Sequence, residues 1–353
     1  MDKEVNIEEM TTVMPRVLRT AGRLHMVGAS ALIEEFGEDG EFMLRQWLRR
    51  FGYWRGKEMR KAHMALGLEV NMENLIKYWD SASSYHLKEQ WETEAFYSPY
   101  NVRNPLMKEG GGCPMSEPWI ENDFWQWGHV LCDELHIQIA RGYHPDAAVV
   151  IPECIMKKEE RCDFNWLMPP NSREPEEVKS YPGQDVLRDW EYSSEKEKAF
   201  KCLLRSMRVA AARIYFLWEV LSEYRSEEAE SKFADIMKLW AINRADALRK
   251  EKGENNWGDR PENLFLNLDY PYGLVWDINN IKVKSSGVEI EISYCPFAET
   301  WGWLGGLPAM RHHCENCYSG IASHYDPALT VEVPQSKTRG DDICRIRIMD
   351  KAL

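Results

Sequence analysis

The sequence predicts an α+β fold built from two tandem repeats, each a layer of helices packed on a short antiparallel sheet. Stretches of helical periodicity are followed by pairs of short β-branched runs, and this order occurs twice. Rare residues recur at one spacing: a single constant shift along the chain places Cys132 on Cys314 and Cys162 on Cys344. Between the two sets lies the stretch 169–193, whose proline, serine and charge are typical of a linker.

These observations predict a first repeat over 1–168, a linker over 169–193 and a second repeat over 194–353. The chain has 353 residues, 44% of them hydrophobic, which is enough for two buried cores. The helical parts match at a slightly larger shift, which places Arg55 on Arg244. We expect the two copies to pair about a pseudo-two-fold axis, as two single-copy relatives would by dimerising.

In the first repeat, apolar residues at helical spacing predict helices, which we place over 13–36, 39–66, 72–85 and 123–141. The stretch 97–118 is rich in proline and glycine and is expected to be irregular. The β-branched and aromatic runs 147–152 and 162–166 predict two strands joined by a charged hairpin turn.

In the second repeat, the same criteria predict helices over 194–224, 229–252 and 309–324, with a weaker one over 262–275. Strands are expected over 281–284, 288–293, 329–333 and 344–348. The stretch 295–308 is rich in turn-forming residues.

The composition limits the classes of partner. The formal net charge of −13 disfavours nucleic acid and anionic membranes, because both would repel the chain. No apolar stretch reaches the roughly 18 residues of a membrane span, and the acidic N-terminus is not a signal peptide. We therefore expect a cytoplasmic protein, in which the nine cysteines are buried thiols, metal ligands or a nucleophile.

Two closing segments, 143–164 and 325–344, share one order of motifs: Tyr-x-Pro, two strands around a charged turn, then cysteine. The helical run 29–67 contains Glu-Phe-Gly-Glu and Arg-Arg-Phe-Gly. Together these motifs resemble L-2-amino-thiazoline-4-carboxylate hydrolase-like proteins and, more distantly, ligand-binding domains named after 4-vinyl reductase. The first resemblance implies hydrolytic opening of a thiazoline-type ring. The second implies a non-catalytic module that binds a small ligand and holds a structural zinc; ring isomerisation or reduction on the same scaffold is a third alternative.

The densest group of reactive side chains lies in the second repeat. His313, Cys314 and Cys317 share one predicted helix, and Cys295 lies in the preceding turn-rich stretch. These residues are the predicted catalytic set, with His313 as the base and the thiols as nucleophile or as ligands of a soft divalent metal. Inert structural thiols are the alternative interpretation.

Aromatic and polar residues around this group predict a substrate-binding surface. Trp301 and Trp303 flank the turn-rich stretch, and His324 and Asp326 follow the predicted helix. Tryptophans at such positions either line a pocket for a planar ligand or pack in the core.

The first repeat offers a candidate metal site at Cys132, Cys154 and Cys162. Cys154 and Cys162 flank the predicted hairpin, so paired strands would bring them together, as in the zinc sites of some 4-vinyl reductase-type sensor domains. Zinc or another divalent metal is the expected ion. On the neighbouring helix, Asp133 and His136 share one face, which fits either an acid–base pair or an exposed polar surface.

Motifs that bind nucleotides are missing from the sequence: it contains neither a P-loop nor a Gly-x-Gly-x-x-Gly fingerprint after a strand. We therefore expect a small-molecule substrate or ligand, no nucleotide cofactor, no nucleic acid and no membrane partner. Homo-oligomerisation stays open.

Overall fold

The computed structural model describes residues 7–81, 96–106, 113–172, 190–255, 261–284 and 286–351. The chain divides into two compact units, residues 1–209 and residues 210–353, which we call the first and second unit. Helices and antiparallel sheets occur in both units, which confirms the predicted α+β class. Among the described helices, none combines the length and apolar character of a membrane span.

The described part of the first unit begins with three helices, and two further helices separate the two pairs of strands that form its sheet. In chain order its elements are α1 (Ile7–Phe36), α2 (Glu38–Ala65), α3 (Met72–Lys77), β1 (Phe96–Tyr97), β2 (Asn101–Leu106), α4 (Glu117–Glu121), α5 (Trp125–Tyr143), β3 (Ala148–Glu153) and β4 (Cys162–Leu167). A 3₁₀ turn, Ile155–Lys157, joins β3 to β4. The helix α1 ends where Gly37 adopts a φ of 57°, a left-handed backbone that favours glycine.

The close approach of α2 and α5 depends on glycines. A Cβ atom at Gly56 would lie 2.1 Å from the carbonyl oxygen of Ile139, and one at Gly142 would lie 2.2 Å from the carbonyl oxygen of Tyr53. The backbones of the two helices therefore come into direct contact, which fixes α5 over the sheet. Because α5 carries Cys132 and His136, this packing positions the candidate site.

The first sheet has the strand order β1-β2-β4-β3, with every pair antiparallel. In β2 and β4, Asn104 lies opposite Phe164 and Val102 lies opposite Trp166. The register between β3 and β4 shifts between Val150 and Glu153, next to the 3₁₀ turn. This irregularity is a β-bulge of the kind that redirects side chains near functional sites.

The second unit repeats this order of elements. Helix α6 (Glu195–Tyr224) crosses the division between the units, and α7 (Ala229–Asn255), α8 (Pro261–Leu266), β5 (Asp277–Lys284), β6 (Gly287–Tyr294), α9 (Pro296–Trp303), α10 (Arg311–Tyr325), β7 (Leu329–Gln335) and β8 (Cys344–Asp350) follow. A 3₁₀ turn, Lys337–Arg339, joins β7 to β8. Its sheet order, β5-β6-β8-β7, matches that of the first unit strand for strand.

Several predicted elements differ from the observed ones. The stretch 97–118, expected to be irregular, contributes β2 and α4, because Pro105 hides the strand pattern and β2 is paired through its neighbours. The helix expected over 262–275 ends at Leu266, and the turn-rich stretch 295–308 contains α9.

The predicted boundaries need a separate comparison with the units. The helix predicted over 72–85 ends at Lys77. Its last predicted residues, 82–85, and residues 173–189 of the predicted linker lie outside the described residues. The compact units divide at Val209 and Ala210, inside α6 and later in the chain than the predicted linker. The repeat boundaries at 168 and 194 stay a prediction.

Candidate functional site

The predicted catalytic histidine is buried in an aromatic core. The ring of His313 lies 5.2 Å from that of Trp301, 5.6 Å from that of Phe297 and 5.7 Å from that of Trp240. Its Nδ1 atom lies 3.5 Å from the sulfur of Cys317. Burial, helped by the charge of Arg244, lowers the pKa of His313 to about 3, so the ring is neutral at pH 7.

Burial holds the three thiols of the predicted catalytic set in the protonated form. Burial raises the pKa of Cys317 to about 12 and that of Cys295 to about 11, and it raises the pKa of Cys314 as well. The sulfur of Cys295 accepts hydrogen bonds from the indole N–H of Trp276 and the backbone N–H of Ala298. A nucleophilic thiolate is therefore not favoured at these positions.

The four predicted substrate-binding residues do not converge. The indole N–H of Trp301 donates to the carbonyl oxygen of Ala211 at 2.8 Å, so this residue is part of the core. His324 contacts Asp246 at 2.9 Å at the far end of α10, roughly 16 Å along the helix from His313 at 1.5 Å per residue. Trp303 is partly exposed and Asp326 caps α10, where it accepts the backbone N–H of Ala328.

A cavity of about 100 Å³ lies inside the first unit, between α5 and the sheet. Its wall is mostly apolar and includes Ile76, Trp79, Leu131, Leu135, Phe164 and Trp166. Polar side chains reach the same space, among them Arg55, Asn104, Cys132, His136 and Cys162. A small apolar cavity with a few oriented polar groups is the usual form of a small-molecule site.

Three cysteines, Cys132, Cys154 and Cys162, form one hydrogen-bonded group at this cavity, which we call the first-unit thiol cluster. Cys154 is the middle member, because its side chain interacts with the thiols of both Cys132 and Cys162. The backbone N–H of Met156 also points to Cys154, and that of Ile155 donates to Cys162 at 3.4 Å. The 3₁₀ turn thus supplies fixed donors to the cluster.

These bonds separate the acidities of the three thiols. Hydrogen bonds from Cys132 and Cys162 lower the pKa of Cys154. The same bonds, together with burial, raise the pKa of Cys132 and of Cys162. Cys154 is therefore the most acidic member of the cluster, while Cys132 and Cys162 face the cavity.

The first-unit thiol cluster meets only part of the requirements of the predicted metal site. The three sulfurs do come together, as expected from the hairpin. Among the residues that the structure describes, however, no group of three or more His, Cys, Asp or Glu side chains has an arrangement suited to a metal ion. Nor do Asp133 and His136 form a pair, because Asp133 turns outward to Lys157 at 3.0 Å.

Two polar side chains of the cavity are fixed by their neighbours. The Nδ1 atom of His136 lies 3.1 Å from the carbonyl oxygen of Cys132, which can only accept, so Nδ1 carries the proton. The indole N–H of Trp166 donates to Oδ1 of Asn104 at 3.0 Å. Burial lowers the pKa of His136 to about 4, so its Nε2 atom is an acceptor at neutral pH.

An arginine–aspartate pair is present in each unit, and sequence reasoning recognised only the arginines. Arg55 binds both carboxylate oxygens of Asp80, and Arg244 binds both oxygens of Asp269, all four side chains being buried. The spacing in the sequence could have revealed the two aspartates, because the shift that aligns the two arginines also aligns Asp80 with Asp269. In the first unit, Arg55 also lines the cavity.

Comparison with known proteins gives one match. Residues 205–348 match the family model described as L-2-amino-thiazoline-4-carboxylic acid hydrolase. The match supports the resemblance over this segment, which includes most of the second unit. No curated protein and no solved structure matches the chain.

Proposed function

We propose that the chain is a hydrolase that opens a small ring compound in the cavity of the first unit. The observation that carries this proposal is the first-unit thiol cluster, because it places two thiols, Cys132 and Cys162, on the wall of a small cavity with the buried Cys154 beside them. An apolar cavity of about 150 Å³ holds benzene, so about 100 Å³ limits an occupant to a single small ring with few substituents.

The family match supports hydrolysis as the reaction class, although it covers the other unit. The two units share their order of helices and strands, and we infer that they arose by tandem duplication. A first copy with the family fold would then carry the active cavity. The second-unit set of His313, Cys314, Cys317 and Cys295 stays the competing location.

In the proposed reaction, Cys132 is the nucleophile. It is half-buried at the cavity, whereas the sulfur of Cys162 already accepts a backbone N–H and that of Cys154 is fully buried. The sulfur of Cys132 adds to the electrophilic carbon between two ring heteroatoms, and its proton passes to Cys154. The ring bond from that carbon to one heteroatom breaks, and the heteroatom takes the electron pair and the proton from Cys154.

Water completes the turnover. It adds to the same carbon and displaces Cys132, which leaves with a proton from the water. The cluster returns to its starting charge, and the product is one water heavier than the ring compound. No step requires a metal or a nucleotide.

The test uses the full chain with 2-amino-2-thiazoline and L-2-amino-thiazoline-4-carboxylic acid as probes and mass spectrometry as readout. We expect hydrolysis by the natural protein and a loss of about 10² or more in kcat for Cys132→Ser and Cys154→Ser. Cys314→Ser is the matched control and should keep full activity. Loss of activity in Cys314→Ser alone would move the site to the second unit.

The outcomes also separate the enzyme from a binding module. A probe that binds the natural protein but is never hydrolysed would contradict the proposed reaction and favour a non-catalytic ligand-binding protein. Folding of each variant is checked by circular dichroism. Cys154→Ser should fold, because the second unit holds a serine at the equivalent position.

A further inference from the structure

We propose that Cys154 and Cys162 form a reversible disulfide when hydrogen peroxide or another small hydroperoxide enters the cavity of the first unit. Both are free thiols in the structure, and the pair is an oxidative modification site. The disulfide forms whether or not the cavity hydrolyses a ring compound, so this site goes beyond the proposed function. Oxidation also stops the proposed reaction, in which Cys154 takes the proton of Cys132, and this effect alone rests on the proposed function.

The strand register places the two cysteines opposite each other. The last paired residues of β3 and β4 are Glu153 and Asp163, and one step further along both strands Cys154 comes opposite Cys162. Directly opposite residues of antiparallel strands have Cα atoms about 4.5–5.5 Å apart, and a disulfide needs about 4.4–6.8 Å. The backbone therefore suits a disulfide without any change in strand pairing.

The side chains of the two residues also meet. The sulfur of Cys162 accepts the backbone N–H of Ile155, the residue that follows Cys154, at 3.4 Å. Contacts with the thiols of Cys132 and Cys162 lower the pKa of Cys154. Because the thiolate is the form that attacks an oxidised sulfur, Cys154 is suited to attack Cys162 once that residue is oxidised.

Access decides which sulfur is oxidised first. Cys162 lines the cavity, whereas Cys154 is fully buried. Hydrogen peroxide has two heavy atoms and fits a cavity of about 100 Å³, since one water molecule takes up about 30 Å³ in the liquid. Cys132 lines the same cavity, but it lies on α5, where no strand register holds it opposite Cys154.

Formation of the disulfide takes two steps. The sulfur of Cys162 attacks one oxygen of hydrogen peroxide, the O–O bond breaks, and the leaving hydroxide takes the thiol proton to become water. Cys162 is then a sulfenic acid. The sulfur of Cys154 attacks that of Cys162, the S–S bond forms as the S–O bond breaks, and the second hydroxide leaves as water with the proton of Cys154. Two thiols are oxidised, one peroxide is reduced to two waters, and a dithiol reverses the change.

The second unit has the same geometry with only one of the two thiols. One step beyond the pair formed by Gln335 and Arg345, Ser336 comes opposite Cys344. The sulfur of Cys344 accepts the backbone N–H of Lys337 at 3.4 Å, the same contact as in the first unit. Ser336→Cys should therefore supply the missing thiol.

Peptide mapping of the full chain tests this inference. The protein is treated with hydrogen peroxide, the remaining thiols are alkylated, and the chain is digested with trypsin. Trypsin cleaves after Lys157, Lys158 and Arg161, so Cys154 and Cys162 lie in separate peptides that only a disulfide holds together. We expect this linked pair, a loss of two of the nine thiols and the recovery of both with dithiothreitol. Cys344 should stay a free thiol in the natural protein and become linked in Ser336→Cys.

Three results would overturn the inference: no linked pair in the natural protein, a disulfide from Cys154 to Cys132 in its place, or no gain of a linked pair in Ser336→Cys. None of these measurements requires hydrolysis. A linked pair in a protein that hydrolyses no ring compound leaves the modification site standing and removes only the proposed function. Hydrolysis by a protein that forms no linked pair does the reverse.

Discussion

Each unit contains a 3₁₀ turn between the last two strands of its sheet, and the residue before that turn is Cys154 in the first unit and Ser336 in the second. In the second unit, Cys314, Ser336 and Cys344 occupy the positions of the first-unit thiol cluster, and we call them the second-unit cluster. Both outer thiols bond to the hydroxyl of Ser336, as the outer thiols of the first unit bond to Cys154. The backbone bonds are also alike, since an acidic side chain five residues later accepts the N–H of the central residue in both turns.

The exchange of sulfur for oxygen changes the chemistry of the turn while its shape is kept. Hydrogen-bond donors around a cysteine in the central position lower the pKa of its thiol, whereas a serine hydroxyl stays protonated. The space around the two clusters also differs. A cavity adjoins the first-unit thiol cluster, whereas in the second unit Tyr272 packs on Trp276 with 4.6 Å between ring centroids. The two turns therefore share their backbone geometry, while the side chains and the packing around them differ.

The largest expected effect comes from breaking the buried arginine–aspartate pairs. Arg55→Leu or Arg244→Leu leaves a buried carboxylate unpaired and should lower the free energy of unfolding by about 3–5 kcal/mol. Arg244 should matter slightly more, because its guanidinium lies closer to two rings, Trp240 at 4.6 Å and Tyr270 at 4.8 Å, than that of Arg55 does to Trp79 at 5.2 Å and Phe51 at 5.6 Å.

Urea unfolding measures this difference, and a double change supplies the control. Replacing both Arg244 and Asp269 with leucine should recover much of the loss, because no charge is then left without its partner. A double variant as unstable as the single one would show that the pair itself, and not the stranded charge, provides the stability.

Acid should destabilise the protein through three of its buried histidines, two in the first unit and one in the second. Burial lowers the pKa of His63 and of His136 to about 4 and that of His313 to about 3. In the unfolded chain the value is about 6.5, so between these limits the unfolded state binds more protons. Their contribution is fully present above about pH 6.5 and is lost as the pH falls toward 4, by up to about 3 kcal/mol for each histidine.

The measurement is the free energy of unfolding at several pH values between 7 and 4. His136→Phe should flatten the dependence by about one proton, because no histidine is then left at this position to bind a proton in the unfolded chain. An unchanged slope in His136→Phe would mean that this ring is not held neutral by the fold.

The smallest expected effect concerns the residue that ends each 3₁₀ turn. Lys158 has a φ of 64° and Gly340 a φ of 91°, so the first unit places a side chain where the second has none. Lys158→Gly should raise the free energy of unfolding by about 1 kcal/mol, and Gly340→Ala should lower it by a similar amount. Thermal melting of both variants checks the pair, and shifts of the same sign would contradict the shared turn geometry.

The sequence predicted the features that depend on residues close together along the chain. Helical and alternating periodicity placed the long helices and most strands, because each such element buries one face. The constant shift between the two repeats found the cysteines that meet at the two turns, since both ends of a hairpin are close in sequence as well as in space. It did not find β2, whose pairing depends on β4, some sixty residues later.

The location of the candidate site depends on the tertiary structure. His313 shares its helix with two cysteines, and only the folded structure shows that α10 turns it into a ring of aromatic side chains. His136 looked like part of a polar helix face and instead lines the cavity. Neighbours on a helix determine which residues share a face, but only the packed partner decides whether that face meets a cavity or a core.

By itself the sequence determined the α+β class, the repeated order of elements and the cysteines of both turns, since these depend on local periodicity and spacing. The tertiary structure alone decided which cluster adjoins open space and which side chains are neutral. Both depend on the volume left between packed elements and on distance from water, and these arise only when residues far apart in the chain are brought together.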